Sequence, residues 1–230
     1  MEGAFTCRLC QVRFMQGLDR GKDCEYNSIS YISSVIVEVI KVPPKVKLTK
    51  EDILTAAVEL VRQRGVDALN ARSLAGKLGC STQPVFSNYV SMEELKADVL
   101  RRAGELCQGY MRREMEKGEY PAYKASGMAY IGFAREEPEL FKLLYMRQRT
   151  AEEARGDAGE VRQIVALIQK STGLPYALAE KLHLEMWIFV HGIATMLVTS
   201  YLDWDWLFIS RLLTEVYQSM KDKYLREVSG

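Results

Sequence analysis

Histidine is scarce in this sequence, and the motifs that usually mark an enzyme are missing. His183 and His191 are its two histidines, and they stand about two turns apart on one predicted helix. The sequence contains no HExxH pair, no glycine-rich phosphate loop and no Ser, Cys or Lys in a recognisable nucleophile motif. Glu185 is not spaced to form a metal set with them, and the apolar neighbours of His191 favour a buried histidine over a ligand contact. The sequence therefore predicts no catalytic activity, no metal and no cofactor.

Cysteine is too sparse to build a disulfide framework. The chain has five cysteines in 230 residues, and Cys80 and Cys107 occupy apolar positions of predicted helices. Cys7 and Cys10 form a CxxC pair, with Cys24 as the next cysteine. A structural zinc site needs four ligands, so this tract is at least one ligand short, and a redox pair is the other alternative.

Neither charge nor hydrophobicity is strongly concentrated along the chain. The formal net charge is +1, and residues 45–92 carry seven bases against four acids, a local surplus of +3 that is modest for phosphate contacts. The longest uncharged run, residues 186–202, is shorter than a bilayer span. The first residues lack a basic region followed by a long apolar one. We therefore expect a cytoplasmic protein without a membrane partner.

From residue 49 onward, apolar residues recur at helical spacing, which predicts an all-α fold. Thr49 with Asp52 forms a capping-box pattern that opens the first helix, and Gly65 ends it. Ser91 with Glu94 forms a second such pattern, which opens a long helix. The predicted long helix and those after it cover about residues 92–117, 121–136, 138–145, 160–171, 175–202 and 203–223.

The stretch of residues 69–95 is the most informative part of the sequence. Asn70 is a good N-cap for a short helix over residues 71–78. Gly79 follows the last apolar position, where a residue that accepts positive φ can end the helix.

A second short helix is expected over residues 82–89, with Ser81 as its N-cap. Val85 and Tyr89 are four residues apart and share its inner face. Pro84 falls in the first turn, where its missing N–H has no intrahelical partner. Two short helices joined by a glycine turn form a helix-turn-helix, a geometry that places a helix in the DNA major groove.

These residues resemble the TetR (tetracycline-repressor) family of bacterial transcription regulators. Ala75, Gly79 and Ser81 are followed by a short helix that ends in Phe-Ser-Asn-Tyr and then by a Ser-Met-Glu-Glu-Leu cap. The resemblance is most specific over residues 48–100 and extends beyond them as a pattern of helix lengths. It departs from the family at three positions, because Phe86, Asn88 and Met92 stand where the family usually has Tyr, His and a phosphate-contacting Lys.

The resemblance implies two helical domains after an N-terminal extension. Residues 45–95 would form a three-helix, helix-turn-helix DNA-binding domain, and residues 96–226 a larger ligand-binding and dimerisation domain. Residues 1–44 differ in composition from the remainder of the chain, and Pro43-Pro44 marks the boundary between the two. We interpret them as a poorly ordered or atypical extension, so that a chain beginning at Lys45 should keep its melting temperature and its DNA affinity.

The outer face of the predicted second short helix is polar and uncharged, as a surface that hydrogen-bonds base edges would be. A Gln or Asn side chain can pair with adenine, and a Thr methyl group can contact thymine. The rival interpretation is a helical protein-interaction module or ligand sensor that does not bind DNA. The predicted DNA-binding residues are Lys47, Lys50, Arg72, Ser81, Thr82, Gln83, Pro84, Phe86, Ser87 and Asn88.

Two further sites are expected in the larger domain. Any single aromatic residue there is best explained as core, but the resemblance implies a pocket for a small, largely apolar effector. The last two helices are apolar on more than one side, as a homodimer interface requires. The expected pocket residues are Tyr110, Tyr123, Met128, Phe141, Tyr145, Trp187 and His191, and the expected interface residues are Leu202, Trp206, Ile209, Leu213, Val216 and Met220.

A repressor released by its effector is the expected function. We call the predicted second short helix, residues 82–89, the reader helix. The dimer must hold its two reader helices about 34–36 Å apart to fit a palindromic operator. The helix over residues 92–117 begins directly after the reader helix, so a ligand that tilts its far end should change that spacing.

Overall fold

Nine α-helices build the part of the chain that the computed structural model describes, which is residues 48–150, 158–201 and 203–229. These residues contain no β-strand, so the all-α prediction is confirmed. The expectations for the N-terminal extension, its CxxC pair, Lys47 and Leu202 lie outside the described residues. The helices are α1 (Lys50–Arg64), α2 (Ala71–Leu78), α3 (Gln83–Asn88), α4 (Met92–Glu116), α5 (Ala122–Glu136), α6 (Pro138–Tyr145), α7 (Ala158–Thr172), α8 (Tyr176–Val198) and α9 (Trp206–Ser229).

Helix α1 begins and ends where the local sequence predicts. The Thr49 hydroxyl accepts the N–H of Asp52 at 3.1 Å, and the Asp52 carboxylate accepts the N–H of Thr49 at 2.9 Å. This reciprocal capping box satisfies two donors that the first turn leaves unpaired, and losing such a cap typically costs about 1 kcal/mol. Gly65 ends the helix with φ 78°, a backbone conformation that favours glycine.

One apolar core runs from the first helices into the larger domain. Ile53 of α1, Leu74 of α2, Leu95 of α4, Phe141 of α6 and Ile209 of α9 all belong to it and are fully buried. Burying a side chain of this size contributes about 1.5–3 kcal/mol. Because α1 packs on both α4 and α6, the first three helices share their core with the later ones.

A second, smaller apolar cluster joins α7 to α8 and α9. Val165 and Ile168 of α7 pack there with Leu182 of α8 and Tyr224 of α9, all fully buried. The Tyr224 hydroxyl keeps a polar partner, because it donates to Glu185 Oε1 at 2.8 Å. This cluster fixes the ends of the last two helices against α7.

The connection between α8 and α9 differs from the prediction. Helix α8 ends at Val198, earlier than expected, and Ser200 has φ 55°, a left-handed conformation that does not continue a helix. Helix α9 starts later than expected, because Asp205 rather than Asp203 caps it by accepting the N–H of Phe208 at 2.8 Å. Capping depends on backbone geometry at one position, and the sequence offers two aspartates from which periodicity cannot choose.

Among the described residues, none of the helices has the length and apolar character that crossing a membrane requires.

Candidate functional site

The turn between α2 and α3 is built on two local signals. Asn70 Oδ1 accepts the N–H groups of Arg72 and Ser73 at 3.1 and 3.0 Å, so the predicted N-cap of α2 is confirmed. Gly79 ends α2 with φ 65° and ψ 31°, the left-handed geometry that a residue with a Cβ adopts only at a cost. The chain can therefore reverse within a few residues and begin α3 at an angle to α2.

Helix α3 begins one residue later than predicted. Thr82, not Ser81, is its N-cap residue, with a helical backbone and no capping hydrogen bond from its side chain. Pro84 lies in the first turn, where a missing N–H is tolerated. Ser81 is exposed, whereas Thr82 and Pro84 are half-buried.

Helix α3 turns one face to the core and the other to solvent. Val85 is fully buried and Tyr89 is 2 % exposed, which confirms that they share the inner face. Gln83 lies exposed on the outer side, and Phe86 is 51 % exposed beside it. The outward surface of α3 is thus partly polar and partly apolar.

Ser87 and Asn88 turn their donor groups back to the protein's own backbone. Ser87 Oγ donates to the carbonyl of Gln83 at 2.9 Å. Asn88 Nδ2 donates to the carbonyl of Pro84 at 2.8 Å and to that of Leu48 at 3.5 Å. Asn88 thereby ties the end of α3 to the residue that leads into α1, a role that the sequence did not suggest.

Lys50 lies in a polar cluster between α1 and α4. Its Nζ is 2.8 Å from Glu94 Oε1 and 3.6 Å from Asp98 Oδ2, and it stands 4.4 Å from the centre of the Tyr89 ring. Glu94 and Asp98 are one turn apart on α4, so both carboxylates face α1. The hydrogen bond that Lys50 donates to Glu94 is the largest cause that raises the pKa of Lys50. The predicted phosphate contact of Lys50 therefore competes with partners inside the chain.

Glu94 also fastens the connection between α3 and α4. Its Oε2 accepts the N–H of Val90 at 2.8 Å, while the Ser91 hydroxyl accepts the N–H of Glu94 at 3.2 Å. The predicted capping box is thus altered, because the Glu94 carboxylate accepts the N–H of Val90 instead of that of Ser91. The bonds from Lys50 and then Val90 hold the pKa of Glu94 below its usual range.

A second ion pair links α1 to α4. Arg102 donates to both carboxylate oxygens of Glu51, at 2.9 and 3.0 Å. Such a two-pronged contact fixes orientation as well as distance. Together with Lys50 it holds α4 against α1.

The surface around α3 offers fewer cations than the resemblance implies. Helix α3 has no charged residue in its sequence. Arg72 is exposed in the first turn of α2, and Lys77 in its last turn donates to Gln63 Oε1 at 3.3 Å. Met92, where the resembled family has a phosphate-contacting Lys, is half-buried against the core. The described surface around α3 therefore offers few cations for phosphate contacts.

A chain of polar contacts runs from α2 through α1 to the corner between α5 and α6. Gln63 Nε2 donates to Glu59 Oε1 at 2.7 Å, and Arg62 bridges Glu59 and Glu137 at 3.1 and 2.7 Å. Glu137 lies directly before α6, so this contact joins the end of α1 to the start of α6. Because Gln63 also accepts from Lys77, the contacts connect α2, α1 and α6 in one series.

Five rings from α5, α6 and α8 form one aromatic cluster. Tyr130 Oη lies 2.8 Å from His191 Nδ1, and Trp187 stacks on His191 with ring centres 5.1 Å apart. Phe141 and Tyr145 lie 5.4 and 5.1 Å from the Tyr130 ring. The structure thus brings together four of the predicted pocket residues, which are Phe141, Tyr145, Trp187 and His191.

The polar atoms of this aromatic cluster are held neutral by burial. Burial lowers the pKa of His191 and raises that of Tyr130, so both remain uncharged near neutral pH. Tyr145 Oη lies 3.4 Å from Cys107 Sγ on α4. The cluster therefore contacts the long helix that begins directly after α3.

The other predicted pocket residues lie elsewhere. Tyr123 Oη is 3.2 Å from His183 Nδ1, next to the smaller apolar cluster. Tyr110 packs edge-on against Phe133, with ring centres 5.7 Å apart, and Met128 is buried in the main core. The seven residues that we grouped from their types alone therefore do not line one common site.

Tyr130 is the residue that sequence reasoning missed. Tyr123 and Tyr130 are about two turns apart on α5, as are His183 and His191 on α8, and each tyrosine meets one histidine. The signal available in the sequence was that the two tyrosines and the two histidines have nearly the same spacing on their helices. Interpreting it required knowing that α5 and α8 pack together.

The five rings of the aromatic cluster pack directly against one another. Two surface depressions lie along α9, with volumes of about 270 and 320 Å³. Neither is lined by any of the predicted pocket residues. An effector that binds among the five rings must therefore displace side chains that now pack against one another.

The apolar stripe predicted as the dimer interface faces the chain's own interior. Ile209 and Leu213 are 0 % and 3 % exposed, so a partner chain cannot reach them. Trp206, Val216 and Met220 are half-buried against the two apolar clusters. A helical stripe shows that one face of α9 is covered, and here the same chain covers it.

Other faces of α8 and α9 expose large apolar side chains. Leu184, Trp187 and Ile188 follow one another at helical spacing on α8 and are 54, 45 and 59 % exposed. On α9, Leu207 is 65 % exposed and Phe208 is 38 % exposed. We call these five residues the exposed apolar face.

The described residues form a helix-turn-helix, made of α2, the glycine turn and α3, which is followed by six further helices. Residues 123–216 match the family model described as "Tetracyclin repressor-like, C-terminal domain". No curated protein matches the chain. A TetR-like transcriptional regulator from Rhodococcus sp. RHA1 superposes with a TM-score of 0.56 at 16 % identity, covering 83 % of this chain and 100 % of that one.

A TetR-family member from Streptomyces coelicolor A3 is also similar, with a TM-score of 0.49 at 19 % identity, covering 71 % of this chain and 95 % of that one. At 16 % identity the likeness to the Rhodococcus protein shows the fold alone, and the family model covers residues 123–216. Residues 123–216 are therefore similar to a tetracycline-repressor-like C-terminal domain, and the described part of the chain has the fold of a TetR-like transcriptional regulator.

Proposed function

We propose that the protein is a repressor that binds a palindromic operator as a homodimer and leaves it when a small, largely apolar effector binds. The observation that carries the proposal is the outward surface of α3. Gln83 is exposed there, and no charged side chain competes with it on the helix. A glutamine in this position can pair with the N6 and N7 groups of adenine.

Phosphate contacts would position the reader helix without choosing the sequence. Arg72 is exposed at the start of α2, and Lys47 precedes α1 in the sequence. Lys50 contributes only if it leaves Glu94, so the dependence of affinity on salt should be shallow for a DNA-binding protein.

A second copy of the chain is the proposed occupant of the exposed apolar face. Two helices that each expose large apolar residues can pack against the same pair from a two-fold-related chain. Dimerisation through them would leave the buried residues of α9 in the chain's own core. Each protomer would then present one α3 to one half of the operator.

Two routes connect the aromatic cluster with α3. Tyr145 contacts Cys107 on α4. Helix α4 follows α3 after a short connection in which the N–H of Val90 donates to Glu94. Phe141 lies on α6, whose preceding residue Glu137 binds Arg62 on α1. A ligand that separates these rings would shift α6 and α4 together, and both of them pack on α1.

Release from the operator requires that the effector bind one conformational state of the protein more tightly than the other. To move the population from 99:1 to 1:99, the effector must bind the DNA-incompatible state better by about 5.5 kcal/mol. Part of that preference must offset the packing lost when the aromatic cluster opens. By linkage, operator DNA must weaken effector binding by the same factor.

The first experiment tests DNA recognition. The dimer is incubated with a pool of random-sequence duplexes, and bound duplexes are amplified and selected again. We expect enrichment of a palindrome whose half-sites are one helical turn apart, about 34–36 Å. Recovery of sequences without a common motif would instead favour a helical module that does not read DNA.

The second experiment tests release. Small apolar compounds are screened by thermal shift, and a stabilising compound is titrated against the dimer with and without the selected palindrome. We expect a weaker affinity when the palindrome is present. Identical affinities in the two titrations would rule out that compound as an inducer.

A further inference from the structure

The largest side chain on the outward surface of α3 has no polar group. Phe86 is 51 % exposed, while its neighbour Val85 is fully buried on the opposite face. Removing a phenylalanine ring from water is favourable, so this exposure leaves part of that driving force available for binding in the free protein.

The side chains around Phe86 leave it prominent. Ser87 and Asn88 direct their donors to backbone carbonyls, and α3 carries no charge. Gln83 is three residues before Phe86 and therefore its neighbour on the helix surface. The surface that α3 offers thus consists largely of one amide side chain and one phenyl ring.

A phenyl ring in the major groove has few favourable neighbours. It cannot hydrogen-bond a phosphate or a base edge, and the apolar group that the groove presents is the 5-methyl of thymine. We infer that Phe86 is a specificity-determining residue that packs on the 5-methyl group of a pyrimidine in the operator. This inference rests on the proposed function, because it requires α3 to enter the major groove.

The recognised group is the methyl and not the whole base. 5-Methylcytosine presents a methyl group at the same ring position as thymine, whereas deoxyuridine keeps the pairing and the O4 acceptor of thymine without the methyl. A deoxyuridine substitution therefore removes the proposed contact and leaves the hydrogen-bonding pattern of the base pair intact.

The experiment uses the full chain and the palindrome selected from random duplexes. Each thymine is replaced in turn by deoxyuridine, symmetrically in both half-sites, and affinity is measured by fluorescence anisotropy. For the wild type we expect at least one position at which each lost methyl weakens binding about fourfold. At that position Phe86→Ser should bind the two duplexes equally, and Phe86→Leu should retain part of the difference.

Two comparisons separate this contact from other effects. Gln83→Ala should lose affinity while keeping the thymine-over-deoxyuridine preference, because its amide reads a different group. Val228→Ser removes an apolar side chain that is 53 % exposed on α9, and it should behave as the wild type. Melting temperatures show whether each variant is folded, and Phe86→Leu keeps the test usable if Phe86→Ser is not.

Two results would overturn the inference while leaving the proposed function standing. The first is a selected palindrome on which no deoxyuridine substitution changes wild-type affinity. The second is a methyl preference that remains unchanged in Phe86→Ser and Phe86→Leu. Failure to enrich any sequence would reject the proposed function itself, and this inference with it.

Discussion

The exposed apolar face predicts which substitution separates the two chains of a dimer. Ile188 is 59 % exposed on α8. Because full burial of isoleucine is worth about 1.5–3 kcal/mol, covering the exposed part contributes about 1–2 kcal/mol for each copy. A two-fold interface uses the residue twice, so Ile188→Asp should weaken the dimer by about 2–4 kcal/mol, or about 30- to 700-fold in Kd.

The matched comparison is Leu213→Asp on α9. Leu213 is 3 % exposed in the main core, where even replacement by alanine costs about 2–5 kcal/mol and a buried carboxylate costs more. A domain is typically stable by about 5–15 kcal/mol, so this variant should unfold or aggregate. Ile188→Asp should stay folded, because its site faces solvent in the single chain.

Sedimentation velocity and circular dichroism measure the two outcomes independently. We expect helical monomers for Ile188→Asp at concentrations where the wild type is dimeric, and loss of helix signal for Leu213→Asp. Val228→Asp, a charge introduced at another exposed position of α9, should remain dimeric. If Ile188→Asp keeps the dimer mass, the exposed apolar face is not the interface and the reasoning from exposure is wrong.

Single contacts lead to three further predictions. Lys50→Ala should lower the melting temperature as well as DNA affinity, because it leaves Glu94 without its cation. An unchanged melting temperature would show that this solvated ion pair does not contribute to stability. Burial lowers the pKa of His191 below 6.5, so the free energy of unfolding should be highest above about pH 6.5 and should fall as the pH drops toward the pKa of His191 in the folded protein. His191→Phe should make this pH dependence shallower in thermal melts, and an equal pH dependence in the variant would contradict the prediction. Glu137→Gln should keep operator affinity but weaken the coupling between effector and operator, because Arg62 loses its charged partner. An unchanged ratio of effector affinities with and without operator would argue against coupling through Glu137 and Arg62.

Local signals were sufficient for much of the fold. Asn70 and Gly79 mark the ends of α2 because capping depends on residues within one turn. Thr49 opens α1 for the same reason. The two aspartates before α9 show the limit of such signals, because either could cap the helix and only Asp205 does.

Contacts between distant residues could not be predicted. Lys50 meets Glu94, 44 positions later in the chain, so the sequence suggested a phosphate contact where the fold forms an ion pair. Leu213 was assigned to a subunit interface because an apolar stripe shows that something covers it without showing what does. Tyr130 pairs with His191 only because α5 and α8 pack side by side.

Base reading by α3 is the central requirement of the proposed function, and Gln83 tests it most directly. Affinities of the wild type, Gln83→Ala and the control Gln163→Ala, an exposed glutamine on α7, are compared on the selected palindrome and on a scrambled duplex. We predict that Gln83→Ala loses roughly 1–3 kcal/mol on the palindrome and almost nothing on the scrambled duplex, while Gln163→Ala matches the wild type on both. Equal losses on the two duplexes would show that Gln83 does not read bases and would contradict sequence recognition by α3.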